Sequence, residues 1–307
     1  MSFEKFVSDL KHNAFDNKGS PLGYIVETEI YTMFSPLEAI ELPLILDSPH
    51  SGMNWPTSVR TVATDTQLKS GWDAHVDRLW HSVVGMGGHL LCAHYSRMFI
   101  DLNRAPEDID PQLLDYLDET CRPTKYSDRG MGLLRKFALP GTLMYDYKLN
   151  HIDVMNRLNH YYLPYHNALR IKLDALHSKY GGVWHIDCHS MKSIANKMNI
   201  DCGAPRPDVV IGDNDGAAAD PAFVDVVEDA FRKLGYKVAR NAPYKGGYLV
   251  TQYAVPSSNR HSIQIELNRA LYMDEKTFEP NSNFNNIQGD LATVTLMIAK
   301  FIRSQVA

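Results

Sequence analysis

The sequence predicts an α/β fold of three layers, with helices on both faces of a mixed central sheet. Three observations predict it. Short apolar or alternating runs of strand character recur between amphipathic helical patterns along the chain. Polar, chemistry-bearing residues crowd the carboxyl ends of several of those runs, where open α/β sheets bind ligands. No linker-like stretch divides the 307 residues, so they read as one domain, 1–307.

The elements follow in order. Residues up to about Leu42 form a lead-in, with a strand at Tyr24–Thr32 that Ser35-Pro36 breaks. Leu42–Leu46 is a buried strand running into Asp47-Ser48-Pro49-His50-Ser51-Gly52, a loop that sets His50 at the strand's end. Asp73 opens a helix with Val76, Leu79, Trp80, Val83 and Val84 at core spacing, stopped by Gly85, Gly87 and Gly88. Asp73 is then either a helix cap or part of a site. His89–Tyr95 and Arg97–Leu102 read as two strands, the second ending in Asn103-Arg104. Ser127–Gly141, rich in glycine and basic residues, reads as an excursion or lid. Leu149–Tyr180 is helical, bent or divided at Pro164.

Trp184–Met191, WHIDCHSM, is a buried strand entered from Gly181-Gly182, with Asp187, His189 and Ser190 at its carboxyl end. A buried histidine held by a neighbouring carboxylate is the alternative reading of this stretch. Ala195–Pro207 is a loop over the site. Asp208–Ile211 is a strand, Pro221–Leu234 a helix, Tyr236–Ala239 a strand and Tyr244–Tyr248 a turn. His261–Asn268 alternates, with Ile263, Ile265 and Leu267 on one face and Gln264, Glu266 and Asn268 on the other. Helix Ile287–Val306 closes the chain.

Composition narrows the function. A net charge of -5, from 31 basic and 36 acidic residues, argues against a general nucleic-acid binder. Cys92, Cys121, Cys188 and Cys202 form no CxxC pair, which points to a reducing, cytoplasmic compartment. The N-terminal MSFEKFVSDLKHNAF lacks the apolar core of a leader, and no apolar run approaches the roughly 18 residues of a membrane span.

His50, Asp73 and His189 offer two imidazoles and a carboxylate, a common catalytic zinc set that leaves a fourth position for water. These ligands are dispersed, with no HExxH helix. Glu266 can serve as general base. IDLNRA at Ile100–Ala105 echoes IELNRA at Ile265–Ala270, and two such strands would bring guanidinium groups to one rim.

Six stretches resemble the N-formylglutamate amidohydrolases (deformylases): DSPHSG at Asp47–Gly52, WDAHVDRLW at Trp72–Trp80, SRMFIDLNRAPED at Ser96–Asp108, DCHSM at Asp187–Met191, GGY at Gly246–Tyr248 and HSIQIELNRALYMDE at His261–Glu275. That family is similar in fold to zinc carboxypeptidases. The resemblance implies Zn²⁺ held by His50, Asp73 and His189, with Asp187 orienting a histidine. Carboxypeptidases use HxxE, but Met53 stands three residues after His50, so the carboxylate comes from elsewhere and Asp77 is the reserve candidate. Glu266 matches the general base. Asn103-Arg104 resembles a pair that holds a substrate carboxylate, with Arg104 also expected to take part in catalysis, and Tyr248 falls in the GGY stretch, expected at the substrate.

The implied reaction is hydrolysis of N-formyl-L-glutamate to L-glutamate and formate, at the end of histidine degradation. Its small dianionic substrate suits Arg97, Arg104 and Arg269 through paired guanidinium–carboxylate hydrogen bonds. The alternatives are a metallo-deacylase or carboxypeptidase-like hydrolase of another N-acyl amino acid, a cysteine hydrolase built on Cys188, and a binding protein without activity. Oligomeric state is not legible in the sequence.

Overall fold

The computed structural model describes residues 10–15, 21–199 and 201–306; the N-terminal stretch read for a leader lies, through residue 9, outside them. Nine strands form one mixed sheet in the order β1-β2-β3-β5-β4-β8-β11-β9-β10. They are β1 (Leu10–Phe15), β2 (Pro21–Glu27), β3 (Tyr31–Pro36), β4 (Leu44–Ser48), β5 (His89–Ala93), β8 (Val183–Met191), β9 (Val209–Gly212), β10 (Val238–Arg240) and β11 (Arg260–Asn268). β6 (Phe137–Leu139) and β7 (Thr142–Leu143) form a separate hairpin. Strands β5, β4, β8 and β11 run parallel at the centre, while β9 lies antiparallel on β11. Three neighbouring strands, β4, β8 and β11, therefore end on the same rim.

The period-two pattern sorts side chains between two cores. Leu44, Leu46, Trp184, Ile186, Cys188, Ile263, Ile265 and Leu267 face helices α2 (Val76–Trp80), α5 (Pro221–Lys233) and α7 (Phe284–Gln305). These follow the short helix α1 (Asp65–Leu68) and the helices α3 (His151–Arg157), α4 (Leu163–Tyr180) and α6 (Tyr248–Tyr253) in chain order. Ile45, Leu91 and Val183 face the other way, toward Leu169, Leu173 and Leu176 of α4. The protein is thus a three-layer α/β structure, as its periodicities predict. No helix among the described residues is long and apolar enough to cross a membrane.

The second face also carries a buried polar row. Asp47 on β4, His185 on β8 and Ser262 on β11 join across strands: His185 Nε2 lies 2.8 Å from Asp47 Oδ1, and Nδ1 lies 2.7 Å from Ser262 Oγ. Tyr165 of α4 donates to Asp47 Oδ2 at 2.8 Å. Burying a polar group without a partner is expensive, and this set partners itself completely. His185 is therefore the buried histidine held by a carboxylate, whereas His189, two pleat repeats further on, has different company.

Three elements differ from the sequence reading. Tyr24–Thr32 is not one strand but a hairpin, because Thr28 Oγ1 accepts from the amides of Ile30 and Tyr31 and turns the chain; β3 then runs through Ser35-Pro36. Arg97–Leu102 is a turn, not a strand: the Phe99 and Ile100 amides donate back to the Ser96 carbonyl, and Ser96 Oγ accepts from Met98 N. Its apolar side chains are buried all the same, so hydrophobicity alone could not separate the two shapes. The Asn-Arg echo therefore joins a turn to a strand. Helix α6 replaces the end of the Tyr244–Tyr248 turn. The long helical stretch, as its sequence predicts, divides just before Pro164, through a π-helical turn at Leu158–Tyr162, which accommodates the proline's missing N–H.

Candidate functional site

The loop after β4 is pinned on both sides. A side chain at Gly52 would bring its Cβ to 2.2 Å from the His94 carbonyl carbon, so only glycine lets the loop lie against the end of β5. The segment before α2 is tied to the same loop: Asp73 N donates to His50 O at 3.1 Å, Trp72 Nε1 to Ser51 O at 2.6 Å and Asp77 N to Ser51 Oγ at 3.2 Å. Asp73 does not cap α2; the residue before the helix is His75, in the left-handed region at φ 64°. This turn leaves the Asp73 carboxylate aimed across the rim at β8.

There the three residues converge. His50 Nδ1 and His189 Nδ1 are 3.0 Å apart, and Asp73 Oδ2 lies 3.0 Å from His189 Nδ1 and 3.5 Å from His50 Nδ1. All three residues are buried. Asp77 is not in this group; Asp73 is the carboxylate that stands beside the two imidazoles. The outward nitrogens are held from behind. His50 Nε2 is 2.7 Å from Asp101 Oδ1, and His189 Nε2 is 2.6 Å from Asp187 Oδ1 in a close contact off the hydrogen-bond axis. Two imidazoles turning their Nδ1 atoms to one spot, each backed by a carboxylate, is the arrangement that divalent metal sites use to fix tautomer and ring orientation.

Electrostatics agree with that geometry. Burial raises the Asp73 carboxyl, but hydrogen bonds from His189 and His50 and the Arg269 charge outweigh it and hold it well below the usual range. Burial disfavours charge on His189, yet Asp187, Asp73 and Glu266 override it and pull its pKa well upward. The surroundings of His189 thus call for a positive charge, and the donor set of two nitrogens and a carboxylate oxygen fits a divalent cation such as Zn²⁺.

Glu266 sits beside His189 across the β8–β11 ladder. Gln264 Nε2 donates to its Oε1 at 2.9 Å, which leaves Oε2 to the cleft. Burial pushes the Glu266 carboxyl up to about 7. Cys188, between Asp187 and His189, faces the opposite core, where burial raises its thiol well above the ordinary range. That position rules out the cysteine-hydrolase alternative, since the thiolate is the nucleophile.

The expected substrate arginines divide into two kinds. Arg97 is committed to Asp101 Oδ2, through Nε at 3.1 Å and Nη2 at 2.7 Å. Arg269 donates from Nη2 to Asp73 Oδ1 at 2.7 Å and from Nε to Ser190 Oγ at 3.1 Å. Both line the cleft, but their hydrogen-bonding forks serve carboxylates of the protein. Arg104 differs. It donates to the Met131 and Asn103 carbonyls and stacks 3.8 Å over Tyr126, with no carboxylate partner among the described residues.

The sequence model of the N-formylglutamate amidohydrolases matches residues 42–273. The chain belongs to the N-formylglutamate amidohydrolase family. It is accordingly an amidohydrolase, an enzyme that cleaves an amide bond. It is 29% identical over 240 residues to the N-formylglutamate deformylase of Pseudomonas aeruginosa, covering 76% of this chain and 84% of that one. Against the Pseudomonas putida deformylase it is 27% identical over 263 residues, with 84% and 90% covered. The crystal structure of N-formylglutamate amidohydrolase from Ralstonia eutropha JMP134 superposes with a TM-score of 0.87 at 41% identity, over 91% of this chain and all of that one.

Within this amidohydrolase the two other expected substrate contacts are placed differently: Asn103 lines the cleft and Tyr248 does not. Asn103 is buried, with Nδ2 donating to Asp187 Oδ2 at 2.6 Å and Oδ1 accepting from Leu249 N at 2.9 Å. Its amide positions Asp187 and the start of α6 from the wall of the cleft, which Asn103 lines. Tyr248 lies outside the cleft lining and joins Tyr162 and His166 at the second core, because the chain enters α6 directly after Gly247; Tyr244 lines the cleft in its place. Arg135 and Arg206 also line the cleft, and the sequence carries no sign of it. Nothing about their immediate neighbours marks them, since their place depends on how two excursions fold over the rim.

Gly247 makes a direct test of the Asn103 arrangement. A Cβ there would stand 2.3 Å from Asn103 Oδ1 and 2.4 Å from Nδ2. Gly247→Ala is expected to displace Asn103, to cost about 1–3 kcal/mol of stability and to reduce turnover. Thermal melting and activity of the purified variant check both; unchanged values would mean that Asn103 has room to move.

Proposed function

We propose that the chain hydrolyses N-formyl-L-glutamate to L-glutamate and formate, using Zn²⁺ held by His50, Asp73 and His189, as a cytoplasmic step of histidine degradation. The observation that carries this is the convergence of His50 Nδ1, His189 Nδ1 and Asp73 Oδ2 beside the buried Glu266, under a cleft rich in guanidinium. Zinc in such a site supplies Lewis acidity, polarising a carbonyl and lowering the pKa of water toward about 7.

The chain's own groups do the rest. Glu266 Oε2 takes a proton from the water that attacks the formyl carbon, and returns it to the amide nitrogen as the C–N bond breaks. The amine then leaves as glutamate and the formyl group as formate. Asp101 and Asp187 keep the two imidazole rings from turning, and Arg269 does the same for Asp73. Arg104 binds the substrate's α-carboxylate: its two backbone hydrogen bonds and the Tyr126 ring fix a guanidinium that has no carboxylate of its own.

Formate release from N-formyl-L-glutamate, with metal analysis on the same sample, tests the reading. Zinc at about one per chain with formate release supports it; formate release from a sample without metal would remove the metal from the mechanism. Arg104→Ala is expected to keep its zinc while losing at least roughly tenfold in kcat/KM, about 1.4 kcal/mol. Full activity in that variant would place the α-carboxylate elsewhere.

A further inference from the structure

Asp101 is one carboxylate with more cationic company than it can neutralise. Its Oδ1 faces His50 Nε2 and accepts from Asn103 N at 3.1 Å. Its Oδ2 accepts from both Arg97 and Arg135, the latter through Nη2 at 3.2 Å. Arg97 holds it with two N–H groups and Arg135 with one. Arg135 is only 7% exposed, and its Nε is buried with no hydrogen-bond partner. Burial, with the neighbouring charges of Arg97 and Arg104, pushes its pKa down to about 9, so it is charged at neutral pH and poorly compensated.

The other cleft arginines differ. Arg269 is matched by Asp73, and Arg206 by Asp201 through two hydrogen bonds at 3.0 and 3.1 Å. Among the described residues Arg104 has no carboxylate partner, and Arg97 and Arg135 share one. The guanidinium groups thus exceed their protein carboxylates by two charges, on the Arg104–Arg135 side of the cleft. A buried guanidinium without a full complement of acceptors is costly, and an arriving anion relieves it.

We propose that Arg135 binds the side-chain carboxylate of the substrate and is the residue that selects a dianionic N-acyl amino acid over a neutral one. This rests on the reading that the enzyme cleaves N-formylated amino acids with Arg104 on the α-carboxylate. Arg135 reaches the site from Ser127–Gly141, the segment that also gives Arg104 its Met131 carbonyl. A site built to hydrogen-bond a group discriminates strongly against a substrate lacking it, because its own buried donors are then left unpaired.

The test compares kcat/KM on N-formyl-L-glutamate and N-formyl-L-glutamine for the native enzyme, Arg135→Met and Arg135→Lys. The native enzyme is expected to prefer the glutamate substrate by at least roughly tenfold. In Arg135→Met the preference should collapse to within about threefold, chiefly by loss on the glutamate substrate, and Arg135→Lys should retain part of it. If Arg135 acted only by steadying Asp101 and His50, both substrates would slow together and the ratio would hold, which overturns the proposal. Native activity without a glutamate preference also overturns it, while leaving the deformylase reading in place. An enzyme that releases no formate from either substrate overturns both. L-Glutamate and L-glutamine binding by calorimetry gives the same comparison without turnover: a native preference for glutamate lost in Arg135→Met supports the assignment, and one retained refutes it.

Discussion

His189→Ala is expected to abolish bound metal and activity together. The imidazole gives the inward Nδ1 at 3.0 Å from both His50 Nδ1 and Asp73 Oδ2, and no other histidine among the described residues joins the cluster. Loss of a group that merely supports a metal ligand typically costs 10- to 100-fold in affinity or activity, so loss of the ligand itself should exceed about 10²-fold. The fold should persist, because Arg269 and Asn103 still partner Asp73 and Asp187. Metal content by elemental analysis, formate release and a thermal melt on one preparation check the three parts. Full zinc occupancy in the variant would strike His189 from the ligand set. His50→Ala should behave alike, and Asp187→Asn should fall between these variants and the native enzyme.

Glu266→Gln separates metal binding from proton transfer. Glutamine keeps the shape of the side chain and can still pair with Gln264, but it cannot accept a proton. Metal content should stay at the native level while kcat falls by about 10²- to 10⁴-fold, the range that a positioned general base contributes. The site's shape supports a change in kcat more than in KM: Oε1 is held by Gln264 at 2.9 Å, so the substitution moves little else. Near-native turnover would assign the proton to another group.

The parts of the site legible in the sequence are those whose role is local. His50 follows a short apolar strand and a proline, His189 ends another strand, and Glu266 occupies the polar phase of an alternating strand. His189 and Glu266 are placed by period-two geometry, which sequence carries directly, and His50 by the turn that ends its strand. Asp73 was harder, because it depends on the His75 turn and on hydrogen bonds to the His50 loop, neither of which has a periodic signature. The arginines show the limit most clearly. Arg97, Arg104, Arg135 and Arg269 are chemically identical, and only the spatial partners Asp101 and Asp73 separate those that brace the site from those left with surplus charge. The WHIDCHSM strand carried both of its readings at once, with His185 locked to Asp47 and His189 at the rim.

The fold also divides its labour between two kinds of backbone. His189 and Glu266 stand on central strands, and His50 and Asp73 are tied to the ends of those strands. Arg135, Lys192 and Arg206 come instead from segments that leave the sheet, 127–141 and 192–207. Insertions and substitutions in such segments leave the ladder hydrogen bonds intact. A lineage built on this frame could therefore exchange these segments of the cleft wall while inheriting His50, Asp73, His189 and Glu266 unaltered. Evolvability in this architecture is a matter of which residues are anchored to the sheet and which merely overhang it.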